Sequence, residues 1–137
     1  MNRWLLLPLL LQVLLVIVLY VALAIAKARA VRAGAVDERR RALYADAWPV
    51  GVQQINNSIG NQFQLPVLFM LQTLLLGQLG EQGWLAVGLG WAFVLSRCCH
   101  AWEHTHRNHV PTRRNWFMAG VLIVLLQCVV AGWALLR

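Results

Sequence analysis

The sequence predicts an all-α integral membrane protein, a bundle of four spanning helices, and three observations carry that expectation. Of the 137 residues, 60% are hydrophobic and 12% charged, whereas an ordinary soluble domain carries about 25% charged residues. Mean hydropathy is +0.60. The apolar residues gather into four long runs, and nearly all the charges fall between them. These runs and their short links use up the chain, so a single membrane domain over 1–137 is the economical reading.

The first helix is expected over 4–26. No charge interrupts Trp4 to Ala26, and these 23 residues, at about 1.5 Å rise each, cross a hydrocarbon layer of roughly 30 Å. A Leu-rich run behind Arg3 also suits a signal peptide. However, a secretory core is only roughly 7–15 residues long, so a retained spanning helix is expected.

Residues 27–60 read as a basic loop. Lys27, Arg29, Arg32, Arg39, Arg40 and Arg41 stand there against Asp37, Glu38 and Asp46, with Gly34 and Pro49 as breakers. Tyr44 and Trp48 suit the membrane interface, where an amphipathic ring has one end in apolar matter and one in water. The loop either fixes topology as a solvated positive segment or places Lys27, Arg29 or Arg32 against a bound anion.

The second helix is expected over about 62–80, with Pro66 in its first turns, where neighbouring helices accommodate the missing N–H. Asn61, Gln64, Leu68 and Gln72 follow at spacings of 3, 4 and 4, which aligns three amides on one face directed into the bundle. Such amides join helices; alternatively, Asn61 and Gln64 hydrogen-bond a ligand near the membrane surface. After a tight turn from Gly77 to Gly83, the third helix is expected over 84–104, with Gly88 and Gly90 permitting close approach of a neighbour. A fourth is expected over 115–136.

Eleven arginines and Lys27 against five acids give a net charge of +7. Because the cations flank apolar runs, membrane orientation and an anionic ligand account for them better than nucleic acid does. Six lie in the first basic loop and four from Arg97 to Arg114, against Arg3 and Arg137 at the other end. By the positive-inside rule both basic loops face the cytoplasm and both termini lie outside. Adjacent Cys98 and Cys99 point to different sides of a helix, so reduced packing residues are expected rather than a disulfide framework.

Between the third and fourth runs the chain reads R-C-C-H-A-W-E-H-T-H-R-N-H-V-P-T-R-R-N-W-F-M-A-G, from Arg97 to Gly120. Cations are expensive in hydrocarbon, so this stretch belongs where water, headgroups or an anion meets it. Three motifs in order resemble the MAPEG family, the membrane-associated proteins in eicosanoid and glutathione metabolism. They are N-Q-F-Q-L-P-V-L-F from Asn61 to Phe69, R-C-C-H from Arg97 to His100, and P-T-R-R-N-W-F-M-A-G from Pro111 to Gly120. The resemblance covers nearly the whole chain and is greatest to bacterial members similar to microsomal glutathione transferases.

It implies a homotrimer in the bacterial inner membrane, with sites between subunits and glutathione as co-substrate. Membrane lipids and a lipophilic small molecule are the further partners it implies. Arg113 matches the arginine implied to stabilise the thiolate; a nearby guanidinium favours charged sulfur. Arg97, His100 and Asn61 match positions that line or support the site, Gln64 falls within the same motif, and Arg29 is a looser match. Gln64 stands where the family has glutamate, Asn57 where active members have arginine, and no tyrosine follows His100 at the expected distance. Two functions therefore follow: a glutathione-dependent transferase or peroxidase acting on lipophilic electrophiles, or a non-catalytic scaffold that binds an anionic lipid or thiol. His100 to His104 also spells the H-x-x-E-H of an inverted zinc protease, but no acidic residue offers a third ligand and no metal is expected.

Overall fold

The computed structural model describes residues 2–136, so Arg137, placed by the charge pattern at the end opposite the basic loops, lies outside the described residues. The fold is all-helical: α1 (Arg3–Arg32), α2 (Val50–Gln62), α3 (Leu65–Gln78), α4 (Trp84–Thr105) and α5 (Val110–Leu136), with one 3-10 turn at Ala45–Ala47 and no strand among the described residues. Four segments are long and apolar enough to cross a membrane, because α2 and α3 together make one, Val50–Gln78.

Three boundaries differ from those expected. The first helix runs on past Ala26 to Arg32 and stops at Gly34, whose φ of 63° is the left-handed conformation that closes a helix. Its last turn carries Arg29 and Arg32, which complement the negative end of the helix dipole. Residues 50–60, expected as the end of the basic loop, are helical and belong to α2. Finally, α5 begins at Val110, five residues before Asn115, with Pro111 in its first turn, where a missing N–H leaves no bond unmade.

Between α2 and α3 the backbone leaves the helical region at Gln64, φ −105° and ψ −104°. Pro66 is the cause: it has no N–H to give Gln62, and its ring would strike that carbonyl. The break also removes the expected amide stripe. Gln64 and Leu68 are exposed, Asn61 turns its side-chain amide back onto the Asn57 carbonyl at 3.0 Å, and Gln72 reaches Cys128 Sγ on α5 at 3.0 Å. Other amides join the helices: fully buried Gln12 donates to Gln62 Oε1 at 3.1 Å, and Gln127 donates to Thr73 Oγ1 at 3.1 Å.

Apolar packing fills the rest. Phe69 and Phe93 stack with centroids 4.0 Å apart, beside Leu65, Val94 and Val124. A Cβ on Gly120 would come within 3.0 Å of Leu65 Cδ2, so glycine is what lets α5 close on α3 there. Gly90 likewise admits Pro8 of α1, whereas Gly88 faces open space and is not needed for approach. Asn2 donates to Gln82, which puts the chain start beside the α3–α4 turn.

Candidate functional site

A hollow of about 340 Å3 opens where the break between α2 and α3 meets α4 and α5, lined by Asn61, Gln64, His100, Val110, Arg113, Arg114 and Phe117. Four of the residues singled out in the sequence thus share one cavity. A fifth, Arg97, lies directly behind it: the side chain is fully buried, Nη2 donates to the Asn61 carbonyl at 3.3 Å, and Cζ sits 5.8 Å from the centre of the Phe117 ring. Its Nε and Nη1 make no hydrogen bond with the described residues. Neither ion pair among the described residues includes it. Removing a guanidinium from water with no carboxylate opposite costs several kcal/mol, so this arginine leaves an uncompensated positive charge behind the hollow.

The sixth residue, Arg29, is elsewhere. It borders an apolar groove of about 630 Å3 between α1 and α4, along with Cys98, Trp102 and His106. On α4 the spacing 97, 100, 104 defines one face and 98, 101, 102, 105 another, so within one chain Arg29 does not meet the hollow. The two cysteines also separate as expected, Cys98 into the groove and Cys99 half-buried away from it.

The turn from α4 to α5 fixes Arg113 through contacts that no motif signals. Glu103 is buried, and its Oε1 accepts the His109 N–H at 3.0 Å while its backbone carbonyl accepts the Asn108 N–H at 2.6 Å. Asn108 takes a φ of 51°, which asparagine tolerates better than most residues. The bend turns its Oδ1 to accept from Arg113 Nη1. A glutamate that reads as half of a protease motif is in fact the tie that holds this bend. His100 and His104 pack edge-on with centroids 5.7 Å apart, and no group of three metal-ligating side chains occurs among the described residues.

Electrostatics add to the arrangement. Helix N-termini carry partial positive charge, yet α5 has no acidic residue in its first turn and places Arg113 and Arg114 just inside it. With Arg97 behind, the hollow is a place where an anion gains and a cation does not.

The family model for MAPEG matches residues 5–133. The chain belongs to the MAPEG family. No curated protein and no solved structure matches it. Family membership together with four apolar spans makes this MAPEG protein an integral, multi-pass membrane protein.

Proposed function

We propose that this MAPEG protein is a glutathione-dependent transferase or peroxidase that works on lipophilic electrophiles at the cytoplasmic membrane surface. The observation that carries the reading is that Arg113 and Arg114 line one hollow with Arg97 buried behind it, none of the three in an ion pair among the described residues. A small ligand with carboxylates and an ionisable thiol supplies the missing negative charge. In this reading Arg113 holds the thiolate, lowering its pKa and raising the nucleophilic fraction at neutral pH. The sulfur then forms a bond to an electrophilic carbon, whose leaving group departs with the electron pair. With a peroxide, the thiolate takes an oxygen and releases an alcohol, and a second thiol completes the disulfide with loss of water.

We place the sites between subunits of a homotrimer. One copy's hollow and its own apolar groove use different faces of α4, and a head-to-tail ring brings one copy's groove beside the next copy's hollow. That arrangement accounts for Arg29, which reaches a charged site only across a subunit boundary. The cation excess of the two basic loops supports a cytoplasmic active face in a bacterial inner membrane, with both termini outside.

A second reading is favoured by one feature of the hollow. Gln64 lines it where the family's motif has glutamate, so a ligand ammonium meets an amide rather than a carboxylate. A protein that binds an anionic lipid or thiol as a scaffold, without turnover, needs no such carboxylate. Purified protein separates the two readings. The transferase reading expects glutathione to raise the thermal midpoint and to show ultraviolet thiolate absorbance that disappears in Arg113→Ala. Stabilisation without thiolate absorbance leaves the scaffold, and neither signal removes glutathione from the hollow.

A further inference from the structure

A second basic pocket shares no lining residue with the first and does not depend on the thiol reading. Where the loop after α1 folds back over the start of α2, a cavity of about 170 Å3 is lined by Lys27, Arg41, Tyr44, Trp48, Gln53 and Asn56. A cavity needs only about 10–15 Å3 of such space to hold one water, so this one has room for a tetrahedral oxyanion and some solvent. The loop that roofs it is tied down. Trp48 Nε1 donates to the Arg41 carbonyl at 3.2 Å, and the Gln53 amide donates to the Trp48 carbonyl at 2.7 Å. Asp37 N–H also reaches the Ala47 carbonyl at 3.1 Å, which closes the loop on itself.

The two cations of this pocket differ in what they already touch. Arg41 uses Nε on Glu38 at 2.9 Å. Lys27 has no carboxylate among the described residues; its Nζ rests 4.9 Å from the centre of the Trp48 ring. Lys27 is also the first charge after 23 uncharged residues, a helical length of about 35 Å. An ammonium at that distance from Trp4 sits just past the hydrocarbon, at the depth of lipid phosphates. Trp48 and Tyr44 are the aromatic residues that favour the same depth. We infer that this pocket binds the phosphate of an anionic phospholipid, with Lys27 as its principal cation.

The shared chemistry is a phosphate, and its depth selects the lipid over the free ion. A test uses the whole protein in nanodiscs of phosphatidylcholine with or without phosphatidylglycerol. Retained lipid is counted by native mass spectrometry, and a photoreactive phosphatidylglycerol maps the contact. Wild type and Arg39→Gln, whose lost charge lies outside the pocket, are expected to hold one phosphatidylglycerol. Lys27→Gln should hold it about fivefold more weakly, the effect of one juxtamembrane cation, and Lys27→Arg should restore it. In wild type the crosslink should fall within residues 41–56.

Equal weakening in Lys27→Gln and Arg39→Gln would mean diffuse attraction and overturn the site. So would a crosslink confined to other segments, a readout that stands even where Lys27→Gln fails to fold. Inorganic phosphate at millimolar concentration that displaces the lipid and stabilises the protein equally well would reassign the pocket to the free ion and overturn the lipid.

Discussion

The two basic regions of the chain have similar composition and opposite fates. Between Arg29 and Trp48 the arginines lie at the surface, where Arg40 pairs with Asp46 at 2.8 Å and Arg41 with Glu38, and each of these two guanidiniums keeps much of its water; Lys27, part-buried against Trp48, is the exception. The Asp46 hydrogen bond even raises the Arg40 pKa above its ordinary value. Between Arg97 and Arg114 the acids are scarce: Glu103 is the only one, and its side chain is directed to a backbone N–H rather than to an arginine. Arg97 is therefore buried without a countercharge. The difference shows that counting cations says little; what decides a binding region is whether the fold has already neutralised them.

The largest test of that contrast is Arg97→Met. If the buried guanidinium is held for a ligand rather than for the bundle, an apolar side chain of similar length should stabilise the ligand-free protein by about 1–4 kcal/mol. Glutathione should then give less than a tenth of its wild-type affinity. Denaturant titration in detergent measures the first quantity and calorimetry the second, and a less stable Arg97→Met would erase the distinction between the regions.

Glu103→Ala comes next in size. It strands the part-buried His109 N–H, a loss of about 1–3 kcal/mol, and releases the bend that presents Asn108 to Arg113. Glu103→Gln keeps an acceptor oxygen and should retain most of the stability, so a Gln variant as weak as the Ala variant would point to charge rather than to the hydrogen bond. The smallest effect is expected at Asp46→Asn. Exposed ion pairs contribute little, and the thermal midpoint should stay within error of wild type, shifting neither with nor without added salt.

Much of this was legible in the chain because membranes impose a coarse grammar. Long uncharged runs must be helices where no water satisfies the backbone, so the four spans follow from Trp4–Ala26 and its counterparts. The start of the second span was not legible: Val50–Gln62 is rich in amides and carries two glycines, which resembles a loop, and helix packing overrides that composition. The amide stripe failed for a related reason. Its periodicity was carried across Pro66, where the helix is interrupted and the phase is lost.

At the site, Asn61, Gln64, His100 and Arg113 line one hollow, because the break between α2 and α3 lies beside the turn from α4 to α5. Arg29 does not join them within one chain. Glu103 and Asn108 were invisible as positioning residues because their role arises from a left-handed bend that no spacing rule encodes.

The interruption between α2 and α3 has a consequence for the arginine that no acid neutralises. In an unbroken spiral the Asn61 carbonyl would belong to the amide of Leu65, one turn onward. Because Pro66 dissolves that turn, the oxygen is free to face across to α4, and there it meets Arg97. A ring that cannot donate a proton thus leaves, within the packed bundle, a neutral dipole on which a cation can rest while its remaining N–H groups stay uncommitted.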